Sequence, residues 1–177
     1  MTLSISIVMP VLNEAAGIVP TLAALAPLRA RGVEVIVVDG GSSDDTVALA
    51  TPWADCVLVF PGGRARQMNA GAARATGEVL LFLHADTQLA AGADELVVEA
   101  LRGNAAWGRL DVRIDGAPWM LRVVATLMNL RSRWSGIATG DQAIFMRRAL
   151  FDAVGGFPDQ PLMEDVEISR RLRAVSR

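Results

Sequence analysis

The run VLLFL at residues 79–83 leads straight into His84-Ala85-Asp86-Thr87, and it constrains this chain more than any other stretch. Five apolar residues without alternation suit a strand covered on both faces, as in a parallel sheet packed between helices. Asp86 then falls just past the carboxyl end of that strand, where open α/β sheets bind their ligands. Three earlier runs repeat the pattern. Residues 4–11 are apolar and β-branched and lead into Asn13-Glu14; 33–38 stop at Asp39-Gly40-Gly41; 56–60 end in the turn Pro61-Gly62-Gly63. Helices are expected at 15–31, with Pro20 in its first turn, at 46–50, opened by a Ser42–Asp45 capping box, and at 64–75. Another is expected at 89–102. Strand–helix repeated four times implies a mostly parallel central sheet flanked by helices, an α/β fold. Its carboxyl ends share one edge, so Glu14, Asp39 and Asp86 converge there. Like charges gathered in one place repel unless something cationic joins them.

Several function classes fall away on residue counts. A formal net charge of −2 gives no reason to expect a nucleic-acid partner. All 17 basic residues are Arg, so an individual Arg carries little functional weight. The turn after the first strand, Asn13-Glu14-Ala15-Ala16-Gly17, has no Gly-x-Gly-x-x-Gly pattern, and with no Lys there is no P-loop. The single cysteine, Cys56, excludes an intramolecular disulfide and fits a reducing compartment; at the head of an apolar run it is expected in the core. The N-terminus lacks a basic n-region and a cleavage site. The longest charge-free run, 15–28, is too short to span a bilayer. A cytoplasmic protein is expected.

The second half is less regular. Residues 107–114 (WGRLDVRI) alternate like a half-exposed strand, and 143–146 read as another strand. Helices are expected at 118–133, 148–154 and 164–173. The helix at 118–133 carries Trp119, Val123, Leu127 and Leu130 on one stripe, expected to pack on the core; the alternative is docking at the inner face of a membrane to meet a lipid-linked acceptor. Arg147 and Arg148 are expected on a solvated face.

Together, PVLNE at 10–14, VIVVDGGSSDDT at 35–46, ATGEVLLFLHADT at 75–87 and GGFPDQPLMEDVEISRRL at 155–172 resemble glycosyltransferase family 2, the nucleotide-sugar transferases of GT-A (Rossmann-like) fold. The His-Ala-Asp variant, with GDQAIF at 140–145, resembles a small bacterial subgroup of family-2-like transferases. The resemblance implies one domain over 1–177, with a nucleotide-sugar-binding half at 1–103 and an acceptor-side half at 104–177. Similar transferases usually continue past the last helix, so Arg177 marks either a truncated chain or a naturally short one. It implies that Pro10, Asn13, Glu14 and Gly41 lie along the nucleotide and that Asp39 accepts a hydrogen bond from the base. Arg66, ahead of Arg64, is the implied diphosphate contact. His84 and Ala85 fall within the donor site, and Asp86 binds a divalent metal, Mn²⁺ or Mg²⁺. Asp141 and Gln142 face the acceptor, and Asp165, preceded by Glu164, is the catalytic base. His84 stands where the family usually has the first Asp of Asp-X-Asp, which removes one negative charge beside the metal.

The implied reaction moves a sugar from a nucleotide-diphosphate donor to an acceptor hydroxyl with inversion. The acceptor is a sugar, a lipid-linked species or a small molecule, and a homodimer is a further expected partner. Two rival readings are a catalytically impaired nucleotide-sugar-binding module and a sugar-phosphate nucleotidyltransferase. The second would normally show a Gly-rich loop with a basic residue after the first strand, and PVLNEAAG has none.

Overall fold

The computed structural model describes residues 3–103, 105–160 and 162–176. Arg177, where the sequence pattern shows no stop signal, lies outside them. In chain order the elements are β1 (Ile5–Val11), α1 (Ile18–Ala24), α2 (Ala26–Ala30), β2 (Glu34–Asp39), α3 (Thr46–Ala50), β3 (Cys56–Val59), α4 (Arg64–Arg74), β4 (Val79–Phe82), α5 (Ala93–Arg102), β5 (Trp107–Gly108), α6 (Met120–Ser135), β6 (Phe145–Arg147), α7 (Arg148–Ala153) and α8 (Glu164–Val175). They build one six-stranded sheet in the order β3-β2-β1-β4-β6-β5. The first four strands are parallel, and β6 joins β4 and β5 antiparallel.

Period-two alternation sends the central strands' side chains into two separate cores. Ile7, Met9, Val35, Val37, Val79 and Leu81 pack against α1, α2 and α5 through Ile18, Leu22, Leu28, Val97 and Leu101. Val8, Ile36, Val38, Leu80 and Phe82 face α4, α7 and α8 through Met68, Ala72, Phe151, Ile168 and Leu172. The continuous apolar runs therefore reflect a sheet covered on both sides. Gly71 lets α4 approach closely: a Cβ there would stand 2.4 Å from Val8 and 2.9 Å from Val38.

Several expected elements differ. The helix expected at 15–31 is two helices, because Pro27 has no N–H to continue the ladder of α1. The Ser42–Asp45 box is absent; Asp44 instead accepts hydrogen bonds from the Thr46 hydroxyl and the Thr46 and Ala15 amides. α5 starts at Ala93, after Gly92 in the left-handed region, so Asp86 caps no helix. The strand expected at 107–114 pairs only over Trp107–Gly108. Beyond it the chain turns to α6, where Asn129 exchanges hydrogen bonds with both backbone groups of Val112 at 3.0 and 2.9 Å. Arg147 and Arg148 are not a solvated face. Arg147 donates to the Leu101 carbonyl, and Arg148 donates to those of Gly77 and Ala72. Cys56 is only half-buried, since β3 is an edge strand.

The apolar stripe of α6 departs furthest from expectation. Trp119, Val123, Leu127 and Leu130 are exposed, with Trp119 at 75% and Leu127 at 59%; the helix buries Ala125 and Ser132 instead.

Candidate functional site

The carboxyl edge of the sheet is assembled by side chains bonding to backbone between the loops after β1 and β2. Asn13, in the left-handed conformation, receives the Ser43 amide on its side-chain oxygen at 2.9 Å, while its own amide donates to the Ser42 hydroxyl at 2.8 Å. The Glu14 amide donates to Thr46 Oγ1 at 2.8 Å. Buried Gln67 of α4 spans the two strand ends, donating to the carbonyls of Val11 at 2.9 Å and Val38 at 2.7 Å. Asp39 is buried beneath this lattice. Its Oδ2 accepts the amides of Gly41 and Ser42, both at 2.8 Å, and its Oδ1 accepts the Ser42 hydroxyl. These bonds make Asp39 the keystone of its own turn.

His84 lies at the end of β4, where the two halves of the molecule meet. Gly140 lies against its imidazole so closely that a Cβ would stand 2.0 Å from His84 Cε1. Gly140 belongs to a single 3₁₀ turn, Gly140–Gln142, closed by a Thr139–Gln142 capping box. Burial, reinforced by the nearby Arg64 charge, lowers the pKa of His84 against the opposing pull of Asp86, Asp141 and Glu164. The shift favours the neutral imidazole, the form that can ligate a metal.

His84, Asp86 and Asp141 can each offer a ligand atom, and these atoms all lie within 4.8 Å of one another. His84 Nδ1 is 3.8 Å from Asp141 Oδ1. One imidazole and two exposed carboxylates make a donor set able to hold a divalent cation. Asp141 supplies the second carboxylate that the strand end lacks. The group opens onto a cleft of about 560 Å³ that includes Thr87, Arg113 and Asp115.

A larger cleft of about 690 Å³ lies between the loop after β1 and the start of α8. Pro10, Glu14, Arg64, Gln67, Arg131 and Asp165 help to line it. Glu164 and Asp165 occupy the first turn of α8, where the helix dipole favours negative charge. Glu164 is buried, with Arg64 Nη1 at 3.7 Å. Asp165 Oδ2 accepts the Gly140 amide at 2.8 Å, and Ser169 Oγ accepts the Ala138 amide at 3.1 Å, so α8 and the 136–141 loop hold each other. The approach to α8 is anchored by Asn69, which bonds both the amide and the carbonyl of Phe157. Phe157 is wedged edge-on against Phe82, their ring centroids 4.7 Å apart.

The residues singled out in the sequence thus divide. Pro10, Glu14, Glu164 and Asp165 line the large cleft; His84, Asp86 and Asp141 form the metal-capable group beside it. Asn13, Asp39 and Gly41 build the loop lattice, and Ala85 is buried, its carbonyl accepting the Thr21 hydroxyl. Gln142 is buried too, bonded to Thr139 and Asn129. Arg66 points to Asp159, in an exposed pair at 2.6 Å, and Arg64 is the arginine facing the large cleft. Gln67, Arg131 and the closeness of Gly140 to His84 were not legible in the sequence. Only Gln67 leaves a trace, as a polar residue on the otherwise apolar inner face of α4 formed by Ala65, Met68 and Ala72.

The chain and its fold have known relatives. An uncharacterised glycosyltransferase of Mycobacterium tuberculosis is 34% identical over 185 residues, covering 97% of this chain and 70% of that protein. TarS of S. aureus in complex with UDP-GlcNAc superposes with a TM-score of 0.74 at 21% identity, covering 96% of this chain and 53% of that one. The mannosyltransferase PcManGT from Pyrobaculum calidifontis, in complex with GDP-Man and Mn²⁺, superposes with a TM-score of 0.71 at 24% identity, covering 96% and 51%. The chain therefore spans about half the length of these solved structures, whose likeness shows the shared GT-A fold. The model of Glycosyl transferase family 2 matches residues 6–155, and the chain belongs to that family.

Proposed function

We propose that this chain transfers a sugar from a nucleotide-diphosphate donor to an acceptor hydroxyl, with inversion at the anomeric carbon. The carrying observation is the placement of Arg64 and Asp165 on one cleft at the carboxyl edge of the sheet, beside the His84–Asp86–Asp141 group. The UDP-GlcNAc and GDP-Man in the related structures support a donor of this class. The donor lies along Pro10 and Glu14. Arg64 meets the diphosphate with a charge-assisted hydrogen bond, and buried Glu164 holds the guanidinium in place. Asp165 is the general base: it takes the acceptor hydroxyl's proton as that oxygen attacks the anomeric carbon and the bond to the diphosphate breaks. Its bond from the Gly140 amide orients the carboxylate. His84, Asp86 and Asp141 would hold a divalent cation, whose chemistry there is Lewis-acid stabilisation of the departing diphosphate. Asp39 acts by shaping the base-binding turn.

Thermal shift with UDP-, GDP- and dTDP-linked sugars, with and without Mn²⁺, tests the reading. Stabilisation by one donor, enhanced by Mn²⁺ in the wild type and not in Asp86→Ala, is expected. The absence of a shift with every diphosphate nucleotide sinks the proposal. Binding without turnover on any acceptor favours the rival binding-module reading.

A further inference from the structure

α6 turns its apolar face outward. At 100° per residue, Trp119, Val123, Leu127, Leu130 and Trp134 fall within one 80° arc. All five are exposed, Trp134 at 87%. The inner face is small and polar: Ala125 and Ser132 are buried, and Asn129 is bonded to Val112 and Gln142. This is the reverse of a helix that packs by its apolar side, and hydrogen bonds hold it to the body. Large apolar side chains gathered on one exposed face mark an interaction surface.

The charge pattern selects the occupant. α6 contains Arg122, Arg131 and Arg133 and no acidic residue, in a chain of net charge −2. Arg122 and Arg133 flank the apolar arc on one side and Arg131 on the other. Nearby carboxylates are already matched, Asp111 by Arg109 and Arg133, and Asp115 by Arg113. Among the described residues Arg122 and Arg131 have no acidic partner. An apolar stripe with a Trp near each end and arginines at its margins is the pattern of a helix lying in the plane of a bilayer interface. No helix of the described residues is long and apolar enough to cross a membrane.

We infer that the outer face of α6 docks the protein on an anionic phospholipid surface, with Trp119, Leu127 and Trp134 entering the interface and Arg122 and Arg131 meeting lipid phosphates. Arg131 also lines the large cleft, alongside exposed Leu162 and Met163. Docking would therefore bring the cleft's rim to the lipid headgroups. If the transfer reading above holds, which docking itself does not require, the acceptor hydroxyl belongs to a lipid-anchored molecule.

Co-sedimentation of the purified chain with phosphatidylcholine vesicles, with and without phosphatidylglycerol, tests the inference without donor or acceptor. Binding to the anionic vesicles is expected to weaken with salt. Leu127→Glu should lower the partition coefficient by about tenfold or more, and Arg122→Glu by a few-fold at low salt. Both substituted side chains are exposed, and an unchanged thermal midpoint verifies folding. Equal binding by wild type and Leu127→Glu overturns the inference, as does equal binding to neutral and anionic vesicles. A concentration-dependent dimer abolished by Leu127→Glu, with no vesicle binding, would instead assign the face to a second copy. Donor-induced thermal shift, measured separately, tells failure of docking from failure of the transferase reading.

Discussion

The loops after β1 and β2 and the segments at 139–142 and 162–165 line the same edge, yet they are built by opposite means. In the first region nearly every polar group is paired with its neighbour: Asn13 with Ser42 and Ser43, Asp39 with Gly41 and Ser42, Gln67 with two strand-end carbonyls. The second region rests on a few contacts, chiefly Gly140 against His84, its amide on Asp165, and Asn69 on Phe157. It leaves Asp141 exposed and Asp165 on the cleft wall. A densely bonded lattice fixes a shape, whereas lightly held acids are available to a ligand. Under the transferase reading proposed above, the first region would set where the donor lies and the second would perform the chemistry.

The most damaging way to break the contrast is Gly140→Val. Any Cβ there meets the imidazole, so the 3₁₀ turn must shift and carry Asp141 and the Asp165 contact with it. Transfer should fall by at least ~100-fold, because misplacement of about 1 Å costs that much. Steady-state kinetics with melting as a folding control would show it; full activity would mean that the His84–Gly140 contact does not position the site. Asp165→Asn should lower kcat by ~100- to 10,000-fold, the range of a general base, while donor-induced thermal shift stays at the wild-type value. Wild-type turnover would remove Asp165 from that role.

Asp39→Ala tests the lattice. It removes the carboxylate that accepts the Gly41 and Ser42 amides and should cost about 2 kcal/mol of unfolding free energy in urea, the size of hydrogen bonds to a charged group. In the second region Asp141 is exposed, so Asp141→Ala should change stability little. Equal losses at the two sites would erase the distinction.

The smallest effect lies far from the site, where Arg31 grips Asp94 through two bonds of 2.7 and 2.8 Å. That hydrogen-bonded guanidinium holds the Asp94 pKa below its usual value, against the opposing effect of burial. A carboxylate with a depressed folded-state pKa stabilises the fold above its unfolded pKa near ~4 and loses that contribution as pH falls through the folded value. Because Arg31 is partly exposed, Asp94→Asn should cost no more than about 1 kcal/mol at pH 7. The gap should close toward pH 2–3, as urea midpoints across pH would record.

Much of this molecule was readable in advance because burial and periodicity are local signals. Mostly apolar runs at 4–11, 33–38 and 79–83 fit strands covered on both sides, and a sheet of parallel strands brings their polar ends to one edge. That logic located Glu14 and Asp86 at the ligand-binding edge; the family pattern added Glu164 and Asp165. Partner choice within the edge was not legible, because it depends on side chains far apart in the chain. Asp39 and Gln142 read as ligand contacts in one dimension; in three, both are buried and bonded within their own loops. Arg64 and Arg66 are equivalent by spacing, but helical geometry turns one to the cleft and the other to Asp159.

The sequence by itself determined the strand and helix plan and the family, since those rest on hydrophobic pattern and motif order. Only the tertiary structure decided that Asp141, 55 positions after Asp86 in the chain, completes the cluster the strand end lacks. It also decided which face of α6 meets solvent. Periodicity reports that a helix has two faces; what each one covers depends on the body it packs against.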